Sequence, residues 1–307
     1  RMRVKRLNLE GDAGNRARWD AFVTTCSEAT FFHRAGWQGV IEHALGHPCY
    51  FLYAEQNGEI QGVLPLGHVR SRLFGNALIS MPFCVYGGIA AINQDARRVL
   101  DEEAQRLALD LKVGHLEMRN LAPQHPDWPT KDLYVTFRKE IDPDPEKNML
   151  EIPRKQRAMV RKGIKAGLIG GIDVDVGRFY EAYATSVYQL GTPVNSINFF
   201  KKIKHVFGSE CEILTIAKEG RVVSSVMSFY FRDEVLPYYG GGTREARAAG
   251  GRRPSSDSRR VRTSRSDAAA ASCGRRSRTT ATPTRGHVAA RRGARSRPPG
   301  RNDPATG

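Results

Sequence analysis

Two glycine clusters, each introduced by tyrosine, hold the residues best suited to chemistry at the backbone. Each cluster is predicted to end a strand. A backbone without side chains lets a ligand come close, so its N–H groups could meet a phosphate or carbonyl oxygen. The alternative is a plain turn or bulge. The candidate substrate-binding residues are Tyr86, Gly87, Gly88, Gly240, Gly241, Gly242 and Thr243.

Tyr238 and Tyr239 directly precede the second cluster and are the candidate catalytic residues. A phenol beside a reacting group could protonate the leaving group as a general acid. Packing in a core or a cleft is the alternative for both, and for Tyr86.

A basic segment supplies a third candidate, for binding phosphate. Pro153 suits the first position of a helix. On that helix Arg154, Arg157, Arg161 and Lys165 share one face, with Lys155 and Lys162 beside them. Such a stripe could hold the phosphates of a nucleotide-linked sugar, an aminoacyl-tRNA end or coenzyme A. A solvated helix face is the alternative.

Several classes of protein are disfavoured by what the sequence lacks. It has no GxSxG, HExxH or Walker motif, and its five cysteines include no CxxC pair. The cysteines are predicted to be buried thiols, and no metal site is expected. No apolar run is long enough for a membrane span and no export signal is visible, so the predicted location is the cytoplasm.

The positive charge lies mainly in one segment. Residues 248–307 hold 15 Arg, no Lys and 3 Asp, which is +12 of the net +16 and leaves +4 for residues 1–247. This segment has no Leu, Ile, Met, Phe, Tyr or Trp, so it is predicted to be disordered. It is either an arm that binds nucleic acid or the product of a shifted reading frame. We favour the shifted frame, because the residue types are typical of GC-rich DNA read out of frame.

An internal repeat sets the architecture. Residues 41–66 align with residues 203–228 at a constant offset of 162, without a gap. A second match pairs Tyr86-Gly87-Gly88 with Tyr239-Gly240-Gly241 at an offset of 153, which implies about nine extra residues in the first copy, around residues 70–76.

Each copy predicts a helix followed by a hairpin. In the first copy an amphipathic helix ends at Gly46, and strands over 49–55 and 60–69 are joined by the two-residue turn Asn57-Gly58. The second copy predicts a helix over 199–207, strands over 211–218 and 222–232, and a further strand leading to its glycine cluster.

The first copy then continues with a helix over 95–111 and strands over 114–121 and 132–141. The second copy breaks off near Arg247, where the Arg-rich tail begins. The hairpin of the second copy is therefore predicted to keep an uncovered face and an unpaired edge.

This layout resembles a tandem GNAT-type N-acyltransferase, and four stretches resemble the FemAB family of aminoacyl transferases. They are TFFHRAGW at residues 30–37, LPLGHVRSRLFGNALISMPFCVYGGI at 64–89, IPRKQRAMVRKGIKAGL at 152–168 and SFYFRDEVLPYYGGGT at 228–243. Together they are most similar to the FemAB-related proteins of PEP-CTERM and exopolysaccharide loci. The chain departs from the family after Thr243, where the later motifs are missing.

The resemblance implies direct acyl transfer, in which an amine attacks a bound ester or thioester and a backbone N–H at a splayed strand stabilises the oxyanion. The implied donor is acyl-CoA or aminoacyl-tRNA, so tRNA is a possible partner, and no metal is required. The implied acceptor is an amine or hydroxyl of a sugar or peptide precursor of the cell envelope or an exopolysaccharide. His33, beside Trp37, would line the cleft between the halves.

The predicted fold class is therefore α/β, with tandem GNAT-like halves, the second truncated, and a disordered tail. The predicted units are residues 1–150 (copy one), 151–247 (a linker helix and the incomplete second half, copy two) and 248–307 (the tail). Two other hypotheses are a non-catalytic nucleic-acid-binding protein that uses the tail, and an inactive relic in which only copy one folds.

Overall fold

The computed structural model describes residues 1–71, 75–131 and 135–243, together with the backbone of two strands further along the chain. The elements of copy one are β1 (Arg3–Leu7), α1 (Ala13–Thr25), a 3₁₀ turn (Phe31–His33), α2 (Gly36–Leu45), β2 (Cys49–Gln56), β3 (Glu59–Ser71), β4 (Gly75–Ser80), β5 (Ala90–Ala91), α3 (Gln94–Asp110), β6 (His115–Asn120), β7 (Thr130–Lys131), β8 (Val135–Thr136) and α4 (Pro145–Glu151).

Copy two follows without a break. Its elements are α5 (Arg154–Lys165), β9 (Ile169–Asp173), α6 (Gly177–Gln189), α7 (Ile197–Phe207), a 3₁₀ turn (Gly208–Glu210), β10 (Cys211–Lys218), β11 (Arg221–Phe231) and β12 (Glu234–Gly242). The two later strands are β13 (Thr284–Arg285) and β14 (His287–Arg292).

The repeat is confirmed at the level of strand register. In copy one Cys49 pairs with Gly67, and in copy two Cys211 pairs with Phe229, so both partners shift by 162. The register slips once in each hairpin, after Ala54 and after Ile216, which are again 162 apart. Both turns use residues with positive φ, Asn57-Gly58 and Glu219-Gly220, as a two-residue hairpin requires.

The repeat also extends further toward the N-terminus than the sequence indicated. β1 and α1 precede α2 in copy one, and β9 and α6 precede α7 in copy two. The strand order is the same in both sheets, β1-β2-β3-β4 and β9-β10-β11-β12. No element had been predicted for these four segments.

One core joins the two copies. Phe31 and Trp37 of copy one pack against Phe207 and Phe229 of copy two, and the Phe31 and Phe229 rings stack with centroids 4.5 Å apart. α2 lies directly on α7, because a Cβ added at Gly36 would be 2.7 Å from Val206 Cγ1. The described part of copy two is therefore folded against copy one, contrary to the hypothesis that only copy one folds.

A second core lies on the opposite face of the first sheet. There Leu52 and Leu64 pack under α3 with Leu100 and Ala104. The repeat places Leu214 and Ile216 at the positions of Leu52 and Ala54, yet both are only partly buried and belong to neither core. Among the described residues no helix covers this face of copy two, as the break near Arg247 predicts.

The extra residues of copy one lie in two places and not in the one hairpin loop that was predicted. Leu66 and its partner Ser80 are 14 positions apart, whereas the equivalent Ser228 and Pro237 are 9 apart, so that loop accounts for five. The rest lie between β4 and β5. Gly87 and Gly88 belong to this second loop, so the prediction that they end a strand is wrong.

The predicted strand over 132–141 is also wrong in its second half. Val135–Thr136 is a strand, but Phe137 and Ile141 are exposed and irregular, and residues 132–134 lie outside the described ones. Alternating apolar residues did not extend the strand, because none of the described elements buries Phe137 or Ile141.

The tail departs from the predicted disorder over eight residues, those of β13 and β14. β14 pairs antiparallel with β6 and with β7 inside the first sheet, and β13 pairs with β8. β6 would otherwise present unpaired backbone groups, and a strand can satisfy them without large apolar side chains. Residues 244–283, 286 and 293–307 lie outside the described part of the chain.

Candidate functional site

A β-bulge at Tyr238 distorts β12 just before its glycines. Met227 pairs with Tyr239 and the next residue, Ser228, pairs with Pro237, so Tyr238 has no partner on β11. Neighbouring strand residues normally point to opposite faces. The bulge instead turns both tyrosines toward Phe229, with ring centroids 6.0 Å and 6.3 Å away.

Beyond the bulge, β12 is an edge strand of the sheet as described. Thr243 N–H donates to Val223 O at 2.9 Å, so residues 243 and 241 form the hydrogen-bonded pairs with β11. The alternation of an antiparallel ladder then directs the N–H and C=O groups of Gly240 and Gly242 away from β11. Gly240 is exposed, whereas Gly242 is buried. The backbone N–H of Gly240 therefore points outward at an exposed position on the free edge of β12.

The other members of this cluster have structural contacts. A Cβ at Gly241 would be 2.4 Å from Ala182 O and 2.8 Å from Tyr183 Cα, so this glycine lets α6 lie on β12. The buried Thr243 hydroxyl donates to Val222 O at 2.8 Å. Of the four predicted ligand contacts here, only Gly240 combines exposure with an outward N–H.

Tyr239 belongs to an aromatic cluster with Tyr183, Phe199 and Phe200. Its hydroxyl is buried and has no hydrogen-bond partner among the described residues. Burial, reinforced by Cys84, raises the pKa of Tyr239 well above its ordinary value. Burial also raises the pKa of Tyr238, although Arg119 and the Val85 backbone act in the opposite direction. Both phenols are therefore neutral and hold their protons more tightly than an exposed tyrosine does.

The first glycine cluster packs against protein instead of an open cleft. A Cβ at Gly88 would be 2.0 Å from Asn120 Oδ1, and one at Gly87, whose φ is +150°, would be 2.0 Å from Met81 Cβ. Tyr86 shares a hydrogen bond with the Thr136 hydroxyl. These three residues hold the loop between β4 and β5 in place. This is a structural role, in contrast to the predicted contact with substrate.

The same loop reaches the second copy, and one arginine fixes it there. Arg119 donates to Met81 O at 3.3 Å and to Cys84 O, and its Nε pairs with Glu117 at 2.8 Å. Arg119 is not among the predicted site residues, because its sequence neighbours give no sign of this role, and Cys84 is predicted only as a buried thiol. Alternation in β6, which leaves Arg119 beside buried Met118 and Asn120, is the only signal that could have found the arginine.

His33 does not line a cleft, contrary to the prediction. It is buried, its Nδ1 accepts from Thr30 N–H at 3.0 Å, and its Nε2 lies 2.8 Å from Gly88 O. Because Nδ1 accepts, the proton belongs on Nε2, which donates to Gly88. Both ring nitrogens are thus used to join the 3₁₀ turn to the loop between β4 and β5, and none remains for a substrate.

This burial predicts an acid-labile fold. Desolvation lowers the pKa of His33 from 6.5 to about 4, although hydrogen bonds to Gly88 and Thr30 oppose the shift. The neutral ring is favoured in the folded state, so its contribution is complete above pH 6.5 and is lost as the pH falls toward 4. We expect a loss of about 3 kcal/mol in the free energy of unfolding over this interval.

Urea denaturation at a series of pH values measures this loss. A His33→Gln variant is the control, because it has lower stability throughout but should lack this part of the pH dependence. Parallel curves for the two proteins would show that His33 is not the titrating group.

The predicted basic residues all lie on α5, where no side chain is buried. Arg154, Lys155, Arg161 and Lys162 are exposed, while Arg157 donates to the carbonyls of Leu150 and Ile152. Among the described residues, no group of three His, Cys, Asp or Glu side chains could hold a metal ion. None of the described helices has the length and apolar character needed to cross a bilayer.

Known structures share this architecture. The crystal structure of FemX matches with a TM-score of 0.60 at 13% identity, over 80% of this chain and 82% of that chain. A conserved protein of unknown function from Bacteroides thetaiotaomicron VPI-5482 matches with a TM-score of 0.50 at 10% identity, over 82% and 83% of the two chains. A tandem GNAT protein from the clavulanic acid biosynthesis pathway gives 0.47 at 10% identity, over 96% and 100%.

No protein-family model matches the chain, and no curated protein does. At these identities the structural similarity establishes the fold alone. The chain has a FemX-like α/β fold built from two similar halves.

Proposed function

We propose that the chain is an acyltransferase whose reaction centre lies at the free edge of β12. One observation carries this proposal, the bulge at Tyr238 followed by the exposed, outward N–H of Gly240. The carbonyl oxygen of the acyl donor would accept a hydrogen bond from that N–H. A peptide added to the edge of a sheet is bound through its backbone in the same way. The same donor would stabilise the oxyanion that forms when an amine attacks the carbonyl carbon.

The proposed reaction needs no enzyme nucleophile. The acceptor nitrogen forms the new C–N bond, the C–S or C–O bond of the donor breaks, and the leaving atom takes up a proton. Tyr238 and Tyr239 are the candidate donors of that proton, because burial keeps both phenols protonated. The proton released by the amine passes to solvent and restores the phenol.

For the substrates we retain the classes implied by the resemblance to FemAB-related proteins of PEP-CTERM and exopolysaccharide loci. The donor is an acyl-CoA or an aminoacyl-tRNA, and the acceptor is an amine or hydroxyl of a cell-envelope or exopolysaccharide precursor. The FemX-like fold supports this proposal. We also propose residues 1–150 and 151–247 as the two units and residues 248–307 as an out-of-frame addition.

The two donors can be distinguished by thermal unfolding and by transfer of label. We expect the true donor to raise the unfolding temperature, since binding at 100 times Kd adds about 2.7 kcal/mol. Free CoA and uncharged tRNA are the controls, because neither presents a carbonyl to Gly240, and uncharged tRNA also measures attraction to the Arg-rich tail. Label should then pass from the donor to an amine acceptor. If neither donor stabilises the protein beyond its control or yields labelled product, the proposed function is wrong.

A further inference from the structure

α5 has a composition unlike that of any other described helix. Six of its twelve residues are Lys or Arg and none is acidic. At 100° per residue the basic side chains occupy an arc of about 160°, and Met159, Val160 and Ile164 lie in the remaining arc, with Ile164 at its border beside Arg157. The helix is therefore amphipathic with a strongly cationic polar side.

The described residues do not bury the apolar face of this helix. No α5 side chain is buried, and Met159 and Ile164 are 48% and 59% exposed. A surface helix of a globular protein normally turns this face to the core, which is where most of its stability comes from. In the described part of the chain, α5 has no such core.

Neighbouring segments expose further large apolar side chains. Leu150 precedes α5, and Ile169, Ile172 and Val174 follow it, all of them exposed. The stretch from 150 to 174 thus combines unburied apolar residues with a cluster of positive charge.

We propose that α5 is an interfacial helix that binds the surface of an anionic phospholipid bilayer. Helices of this kind lie in the plane of the interface, with Lys and Arg among the headgroups and apolar residues at the acyl boundary. A bilayer with anionic lipid satisfies both faces of α5. Nucleic acid would satisfy the basic face alone and leave Met159 and Ile164 in water. The surface therefore fits a membrane better than it fits RNA.

This inference concerns binding and is independent of the proposed acyl transfer. It also assigns a binding partner to the basic residues of α5 that were predicted to bind phosphate, because the phosphates they contact would be those of lipid headgroups. Each Lys or Arg near an anionic surface usually contributes about 1 kcal/mol of attraction, which corresponds to about fivefold in the binding constant.

Co-sedimentation of the full chain with vesicles tests the proposal. We expect binding to vesicles of phosphatidylcholine and phosphatidylglycerol, weaker binding to phosphatidylcholine alone, and weakening with added salt. Ile164→Asp should reduce binding to the mixed vesicles about tenfold, because an apolar anchor is lost. Lys162→Glu should reduce it about fivefold or more.

Matched controls separate α5 from the rest of the chain. Leu109→Asp on α3, at a side chain that is 76% exposed, and Lys201→Glu on α7 repeat the two chemical changes on other helices and should leave binding unchanged. The Arg-rich tail is present in every variant, so its attraction to anionic lipid cancels. Thermal unfolding of each variant confirms that the fold is retained.

A second variant reports insertion directly. The tryptophan of Ile164→Trp should shift its emission to shorter wavelength when phosphatidylglycerol vesicles are added. The proposal is overturned if that emission does not move, or if Ile164→Asp and Leu109→Asp bind vesicles equally well. Binding of tRNA that falls in Lys162→Glu but not in Ile164→Asp, with no vesicle binding by α5, would assign the helix to nucleic acid instead.

Discussion

Replacing Gly240 by proline should lower the rate of acyl transfer by about 10²- to 10³-fold, while Gly240→Ala should leave it nearly unchanged. Proline removes the N–H, and the loss of one oxyanion donor has an effect of this size. The substitution should spare the fold, because that N–H points away from β11 and proline is tolerated on edge strands when its nitrogen faces outward. The measurement is kcat with the donor that stabilises the protein.

Alanine is the matched control at the same position. It keeps the N–H, and its Cβ would meet Ser225 O at 3.4 Å and Val226 Cγ2 at 3.5 Å, which are ordinary contacts. Equal activity in the two variants would remove Gly240 from the mechanism. A lower unfolding temperature for the proline variant alone would attribute its loss of activity to folding.

The internal repeat allows a second paired experiment on stability. We expect Leu52→Ala to lower the free energy of unfolding by about 2–5 kcal/mol and Leu214→Ala by less than about 1 kcal/mol. The two leucines occupy equivalent strand positions, but Leu52 is buried under α3 and Leu214 is partly exposed. Both variants truncate a leucine at an equivalent strand position. The difference between the two losses in the free energy of unfolding therefore measures the contribution of α3, which covers Leu52 alone.

Urea denaturation of both variants measures this difference. Similar losses would mean that some part of the chain after Thr243 covers Leu214 as α3 covers Leu52. That outcome would also count against the proposal that residues 248–307 are an out-of-frame addition.

The elements predicted correctly are those in which local pattern and tertiary packing agree. Asn57-Gly58 fixed one hairpin by turn chemistry, and the helix that ends at Gly46 has a clear apolar face. The elements that were missed lack such a pattern. α1 buries only Trp19, Phe22 and Val23 among polar neighbours, and β9 is exposed and rich in glycine. Their structure depends on the sheets beside them, which no local window contains.

The site was harder to predict, because one residue type can serve two physical purposes. Gly241 and Gly88 allow close approach of protein, whereas Gly240 is exposed at the edge of β12, yet the three look alike in the sequence. The bulge at Tyr238 has no sequence signal at all, since it is defined by pairing with β11. His33 was assigned to a cleft because burial cannot be read from a single histidine.

The packing of α2 on α7 has a consequence for the origin of the molecule. These are equivalent helices of the two copies, so the contact between them joins like surfaces. Contact between like surfaces is the geometry of a two-fold symmetric dimer. A protein with only one half would expose this surface and pair with itself through it. Fusion of two such genes would then turn a symmetric homodimer into one chain, after which each half was free to diverge.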